Sequence, residues 1–163
     1  MSRAPAALTN GHRELADQLA ALGARPPRLS AADSFVAAIL AGNADAVADT
    51  PPQVVATVRR KRTGLVPWAA AQGAPNAVEL LVSAGFDVNA LGRSDLPSNE
   101  PWHTALHVAA GNGDLALAQT LLDLGANPDI PDKHYHSTPL GWARNFNQPA
   151  LADLLEPLTA DGP

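Results

Sequence analysis

Apolar and polar residues alternate along this chain with a helical period. Three stretches carry leucine or valine at spacings of three and four: His12 to Leu22 with Leu15, Leu19 and Leu22; Asn76 to Ala84 with Val78, Leu80, Leu81 and Val82; and Leu115 to Leu124 with Leu117, Leu121, Leu122 and Leu124. Such one-sided stripes predict amphipathic helices. A glycine stands before each stretch and another ends it: Gly11 and Gly23, Gly73 and Gly85, and Gly113 and Gly125 are each twelve residues apart. A chain leaving a helix often turns left-handed, which strains any residue with a Cβ, so these glycines read as helix stops.

Shorter helices are predicted ahead of these. Thr138-Pro139-Leu140 sets a hydroxyl at the N-cap and a proline at the first helical position, where no N–H is needed. Thr104-Ala105-Leu106 repeats the arrangement with alanine, and the pairs Ala69-Ala70 and Ala109-Ala110 are small enough for neighbouring helices to approach closely. Two short helices and a terminal glycine cannot bury their own apolar face, so the unit must stack on copies of itself. Pro75 and Pro149 fall in first turns and start helices. Pro51-Pro52 falls where a helix would be running, at a cost of about 3 kcal/mol or more. That helix must be cut short or begin after Pro52, and Gln53 to Val58 offers a replacement face.

The segments Thr138-Pro-Leu-Gly-Trp-Ala143 and Gly85-Phe-Asp-Val-Asn89 resemble the vocabulary of the ankyrin repeat family. The resemblance implies an all-α ankyrin-repeat solenoid, with stacked helix-turn-helix units joined by hairpin-like loops, in a single domain over residues 1–163. Its expected units are a partial N-terminal repeat at 10–25, a degenerate repeat at 33–58, repeats at 62–90 and 102–130, and a C-terminal capping repeat at 137–158. Departures accompany the matches. Pro67 and Gly141 stand where the family motif carries a histidine that ties neighbouring loops, and His107 alone keeps it. Arg144 and Asn147 replace an alanine and the inter-helix glycine of the last copy, as suits a terminal unit facing water.

Composition narrows the function classes. Hydrophobic residues make up 46% of the chain and aromatics only 4%, so the core is expected to be mostly alanine, leucine and valine. A formal charge of −5 argues against nonspecific binding to nucleic acid or membrane. The absence of cysteine excludes disulfides and thiol chemistry. The first 25 residues hold Arg3, His12, Arg13, Glu14 and Asp17 instead of an apolar signal region, and no stretch is long and apolar enough to span a bilayer. A cytoplasmic protein is expected, and its alanine-rich, lysine-poor composition fits a GC-rich bacterial source. No nucleophile elbow, metalloprotease helix or phosphate loop is present, and an open stack offers no enclosed pocket to tune paired carboxylates. No catalysis and no cofactor are expected. Gly111-Asn-Gly-Asp-Leu-Ala116 fits a dinucleotide fingerprint in letters only, because a helix precedes it instead of a strand.

Binding is expected where the period breaks. Gly73 and Gly113 lie 40 positions apart against roughly 33 in a standard unit, which places about seven extra residues in the 91–102 loop. That loop mixes Arg93, Asp95, Asn99 and Glu100 with Trp102, either an interface anchor or a ring folded back on the core. The resemblance places further partner-contacting positions at the ends of first helices, Ala71, Gln72, Gly111, Asn112, Asn145 and Phe146. It adds Pro131, Lys133, His134 and Ser137 on the last hairpin. With His103 and the extra loop residue Tyr135, the expected partner-binding set is Gln72, Arg93, Trp102, His103, Asn112, Lys133, His134, Tyr135, Asn145 and Phe146. Phe146 reads equally as a core residue of a terminal copy.

The leading expectation is therefore a non-catalytic module, monomeric or weakly dimeric, that binds another protein through its concave loop and first-helix face. The alternative is a metal- or small-ligand-responsive module built on His103, His134 and His136, with Asp132 as a further donor. It rests on His134-Tyr135-His136 placing two rings on one side of an extended strand. His103 and His107 also have the spacing at which helical histidines share a metal, but Thr104 as N-cap leaves His103 outside the helix. The basic run Arg59 to Arg62 reads as a solvated corner, a charge-complementary contact or a phosphate patch.

Overall fold

The computed structural model describes residues 18, 21–23, 28–96 and 99–160, and every structural statement below concerns these. They are all-α, with paired short helices and no strand; an isolated antiparallel bridge joins Gly92 and His103. The helices are α1 (Ala31–Leu40), α2 (Ala44–Ala48), α3 (Pro52–Lys61), α4 (Leu65–Ala71), α5 (Pro75–Ser83), α6 (Ala105–Asn112), α7 (Leu115–Asp123), α8 (Pro139–Asn145) and α9 (Pro149–Leu155). A 3₁₀ turn, Glu156–Leu158, closes the series. Of the unit expected at 10–25, Gln18 and Ala21 are helical and Gly23 is left-handed at φ 85°; the remainder lies outside the described residues.

Local chemistry sets the helix ends. The Ser30, Asn43, Asp114 and Thr138 side chains accept backbone N–H groups at four N-termini, and Pro52, Pro75, Pro139 and Pro149 occupy first-turn positions. The helix that Pro51-Pro52 could not sustain is cut short: α2 ends at Ala48 and α3 starts afresh at Pro52. Between the helices of each pair the chain turns left-handed, at Gly73 (φ 68°), Gly113 (φ 73°) and Asn147 (φ 55°). Asparagine is among the few other residues that tolerate this conformation, which explains how the last pair dispenses with glycine.

Helices α4, α6 and α8 pack side by side, and α5, α7 and α9 each pack on the first helix of their own pair. The contact surface is built of small residues: Ala69, Ala70, Ala105, Ala109, Ala110 and Ala143 are almost wholly buried. Leu81, Leu121 and Leu155 fill the space between the two layers, each worth about 1.5–3 kcal/mol relative to exposure. At the degenerate end α1 packs on its pair partner α2 and also on α3 and α5, and Phe35 stacks on Phe86 with ring centroids 6.2 Å apart.

Candidate functional site

The loop joining α7 to α8 is organised by one carboxylate. Asp132 is fully buried, and its oxygens accept the backbone N–H groups of His134 (2.9 Å), Tyr135 (2.6 Å) and Ser137 (3.1 Å). The indole N–H of Trp142 on α8 donates to it as well, at 3.0 Å. Burial pushes this carboxyl upward, but the four donors outweigh it and hold Asp132 below the usual carboxylate range, so it is ionised. Wrapping the chain around Asp132 forces residues 133–135 into a turn and His136 into a left-handed conformation at φ 52°. The extended strand expected at His134-Tyr135-His136 is therefore corrected to a tight loop.

Two buried histidines lie beside this loop. On α6, His107 Nδ1 accepts the Thr104 N–H at 3.2 Å, which leaves Nε2 to donate to the Ser137 carbonyl at 2.9 Å. This is the inter-loop tie that the resemblance assigned to His107. Burial lowers its pKa, with partial opposition from the Ser137 bond. His103 is 3% exposed, and neither ring nitrogen has a hydrogen-bond partner. Burial first, and the neighbouring His107 second, lower its pKa to about 4, so the ring is neutral.

The 91–102 loop is closed at its base. Gly92 and His103 exchange both backbone hydrogen bonds (2.9 and 3.1 Å), and the Trp102 carbonyl accepts the Lys133 N–H at 2.8 Å, joining this loop to the next. Only glycine fits at 92: a Cβ there would stand 2.5 Å from Gly64 Cα and 2.8 Å from Pro67 Cγ. Arg93 is held within the loop by both oxygens of Asp95 (2.8 and 2.6 Å) and by Glu100 (2.9 Å), with its guanidinium 6.0 Å from the Trp102 ring centroid. Trp102 itself is half-buried between His134, at 4.3 Å, and His103, at 5.3 Å. It is thus partly folded back, and its buried indole nitrogen has no partner.

Two cavities share a wall of Trp102, Trp142 and Phe146. One of about 700 Å³ runs along α8 past Tyr135, Ser137 and Asn145. The other, of about 440 Å³, runs toward α4 past His103, Asn112, Asp95 and Ala71. Together they form a groove across the ends of α4, α6 and α8. Of the expected partner-binding set, Trp102, His103, Asn112, Tyr135, Asn145 and Phe146 line it. Gln72, Lys133 and His134 are exposed but stand outside the lining, as does the half-buried Arg93. Phe146 is 52% exposed and Tyr135 74%, so neither is a core residue.

The metal-responsive alternative loses its geometry. The Trp102 ring packs against both His103 and His134, and among the described residues no three histidine, aspartate or glutamate side chains converge as metal donors. Asp132, expected as a donor, has its oxygens engaged by the loop. The basic run disperses into structural contacts: Arg59 donates to the Gly85 carbonyl at 3.3 Å and Arg62 pairs with Asp33 at 2.9 Å. Sequence reasoning missed Trp142, whose ring centroid lies 5.1 Å from His103, 5.2 Å from His107 and 5.8 Å from Phe146. The available signal was that a half-buried tryptophan needs an acceptor for its N–H, and that Asp132 is the nearest acid upstream.

Comparison with known proteins agrees with this architecture. A family model for ankyrin repeats (3 copies) matches residues 6–132 and 66–161. Over 87 residues, 53% of the chain, it is 38% identical to a putative ankyrin repeat-containing protein of Treponema pallidum. It is 36% identical over 81 residues, 48% of the chain, to ankyrin repeat and SOCS box protein 14 of Mus musculus, and 41% identical over 80 residues, 49% of the chain, to the E3 ubiquitin-protein ligase Ufd4 of Drosophila melanogaster. These matches cover 26%, 14% and 3% of the respective relatives, so the chain corresponds to only part of each.

Proposed function

Because the chain belongs to the ankyrin repeat family, whose stacks are generally protein–protein interaction modules, we propose that it is a non-catalytic binding module that seats a partner protein in the groove across α4, α6 and α8. The 91–102 loop forms one bank and the Asp132 loop the other. The observation that carries this reading is the exposure of large rings on an otherwise ordered, well-tied surface: Tyr135 and Phe146 stand open beside Trp102 and Trp142. Exposed aromatic anchors flanked by rigid polar loops are what binding surfaces concentrate. Gln72, Arg93, Lys133 and His134 act at its rim.

The reading is tested by capture of a partner with the immobilised chain and identification by mass spectrometry. Phe146→Ala and Tyr135→Ala are expected to weaken that interaction about tenfold or more, with melting temperature unchanged. Ala150→Arg, at an exposed position of α9, is expected to leave it intact. Full capture by both groove variants, or equal loss in the α9 variant, overturns it.

A further inference from the structure

The whole chain has seven aromatic side chains, three Trp, one Tyr and three Phe, and four of them line the 700 Å³ cavity. Aromatic faces are electron-rich and attract cations. The carboxylate held behind this wall points the same way. Asp132 lies behind it, ionised and fully buried, and its partners are three backbone N–H groups and the Trp142 indole. No cation neutralises it: among the described residues Lys133 forms no ion pair, Arg93 is taken by Asp95 and Glu100, and Arg144 by Glu156. A carboxylate accepting the indole N–H also pushes electron density into the Trp142 ring, which strengthens its negative face. The charged side chain among those lining the two cavities is Asp95, whose carboxylate is already matched by Arg93, so the lining itself adds no net opposing charge. The buried imidazole of His103 is neutral, so it adds no opposing charge.

We infer that this part of the groove is a cation subsite, in which Tyr135, Phe146, Trp102 and Trp142 receive the guanidinium of an arginine carried on an extended segment of the partner protein. The inference rests on the groove being the partner-binding face. Arginine fits better than lysine because its planar, weakly hydrated guanidinium stacks on rings, whereas an ammonium keeps its water. The molecule already contains one such pairing, Arg93 over Trp102 at 6.0 Å. An apolar side chain would bury area here but leave the field of Asp132 unanswered.

The test is an NMR titration of the isotope-labelled chain, read at its three tryptophan indole N–H signals, with buried Trp68 as internal control. The probes are three pools of short peptides with identical uncharged, randomised flanks and a central arginine, lysine or citrulline. The arginine pool is expected to move the Trp102 and Trp142 signals at about one-tenth the concentration the citrulline pool requires. Phe146→Leu and Tyr135→Leu keep apolar area but remove the rings, and are expected to abolish most of that preference. Equal binding of the arginine and citrulline pools overturns the cation subsite and leaves the groove standing as a partner face. Stronger binding of the lysine pool overturns the assignment to guanidinium. Signals unmoved by any pool up to millimolar concentration also overturn the subsite, independently of whether partner capture succeeds.

Discussion

Trp68 on α4 and Trp142 on α8 occupy the same register of the repeat, and the molecule uses them in opposite ways. Trp68 is 2% exposed, roofed by the neighbouring repeat, and follows Pro67, which packs against Gly92 where Gly64 and Gly92 nearly touch. Trp142 follows Gly141, is half-buried, and hangs its indole N–H on Asp132. At the first junction the ring is covered by close apolar fit, with hydrogen bonds only at the loops, between Gly92 and His103 and between Asn127 and Asn89. The second is held by directional bonds, His107 to Ser137 and Trp142 to Asp132, which fix positions without covering ring faces. Replacing apolar closure with a polar brace is what leaves an ordered aromatic surface open to a partner.

The comparison breaks first on truncation. Trp68→Ala should cost about 4 kcal/mol, since it empties a close-packed site, whereas Trp142→Ala should cost about half as much. Equal losses in urea unfolding would erase the distinction. Next in size is acid sensitivity. His103 titrates at about 4 in the folded chain and near 6.5 when unfolded. Between those values the unfolded chain takes up a proton that the folded chain refuses. Stability is therefore complete above pH 6.5 and falls as pH drops toward 4, by about 3 kcal/mol. His103→Leu should flatten this slope, leaving the contribution of His107; parallel profiles of urea midpoint against pH for the two proteins would refute it. The smallest effect expected is that of Gly92→Ala, about 2 kcal/mol from forcing a methyl between Gly64 and Pro67, read as a lower melting temperature. An unchanged melting temperature would refute the close fit of Gly92 against Gly64 and Pro67.

Much of the stack was legible because its signals are local. Thr104, Thr138 and the first-turn prolines announce helix starts within a turn of the residue itself, and Gly85 and Gly125, left-handed at φ 91° and 93°, announce the stops. The interruption at Pro51-Pro52 follows from backbone sterics alone. The groove was less legible because it depends on how loops curl. Reading His134-Tyr135-His136 as extended hid Asp132 as an acceptor, and with it the reason Trp142 sits where it does. His103 looked like a candidate ligand from its spacing. Its burial beneath Trp102 and Trp142 follows from the Gly92 bridge, which requires knowing that residues 64 and 92 meet.

That bridge carries one further consequence. Because Gly92 and His103 clasp each other at the foot of the 91–102 loop, a change at the loop's tip is not passed directly to the start of α6. With Trp102 kept as the tie to the next loop, the tip is a natural cassette: its length and lettering can be exchanged by an engineer for a different recognition sequence, while the scaffold beneath keeps its register.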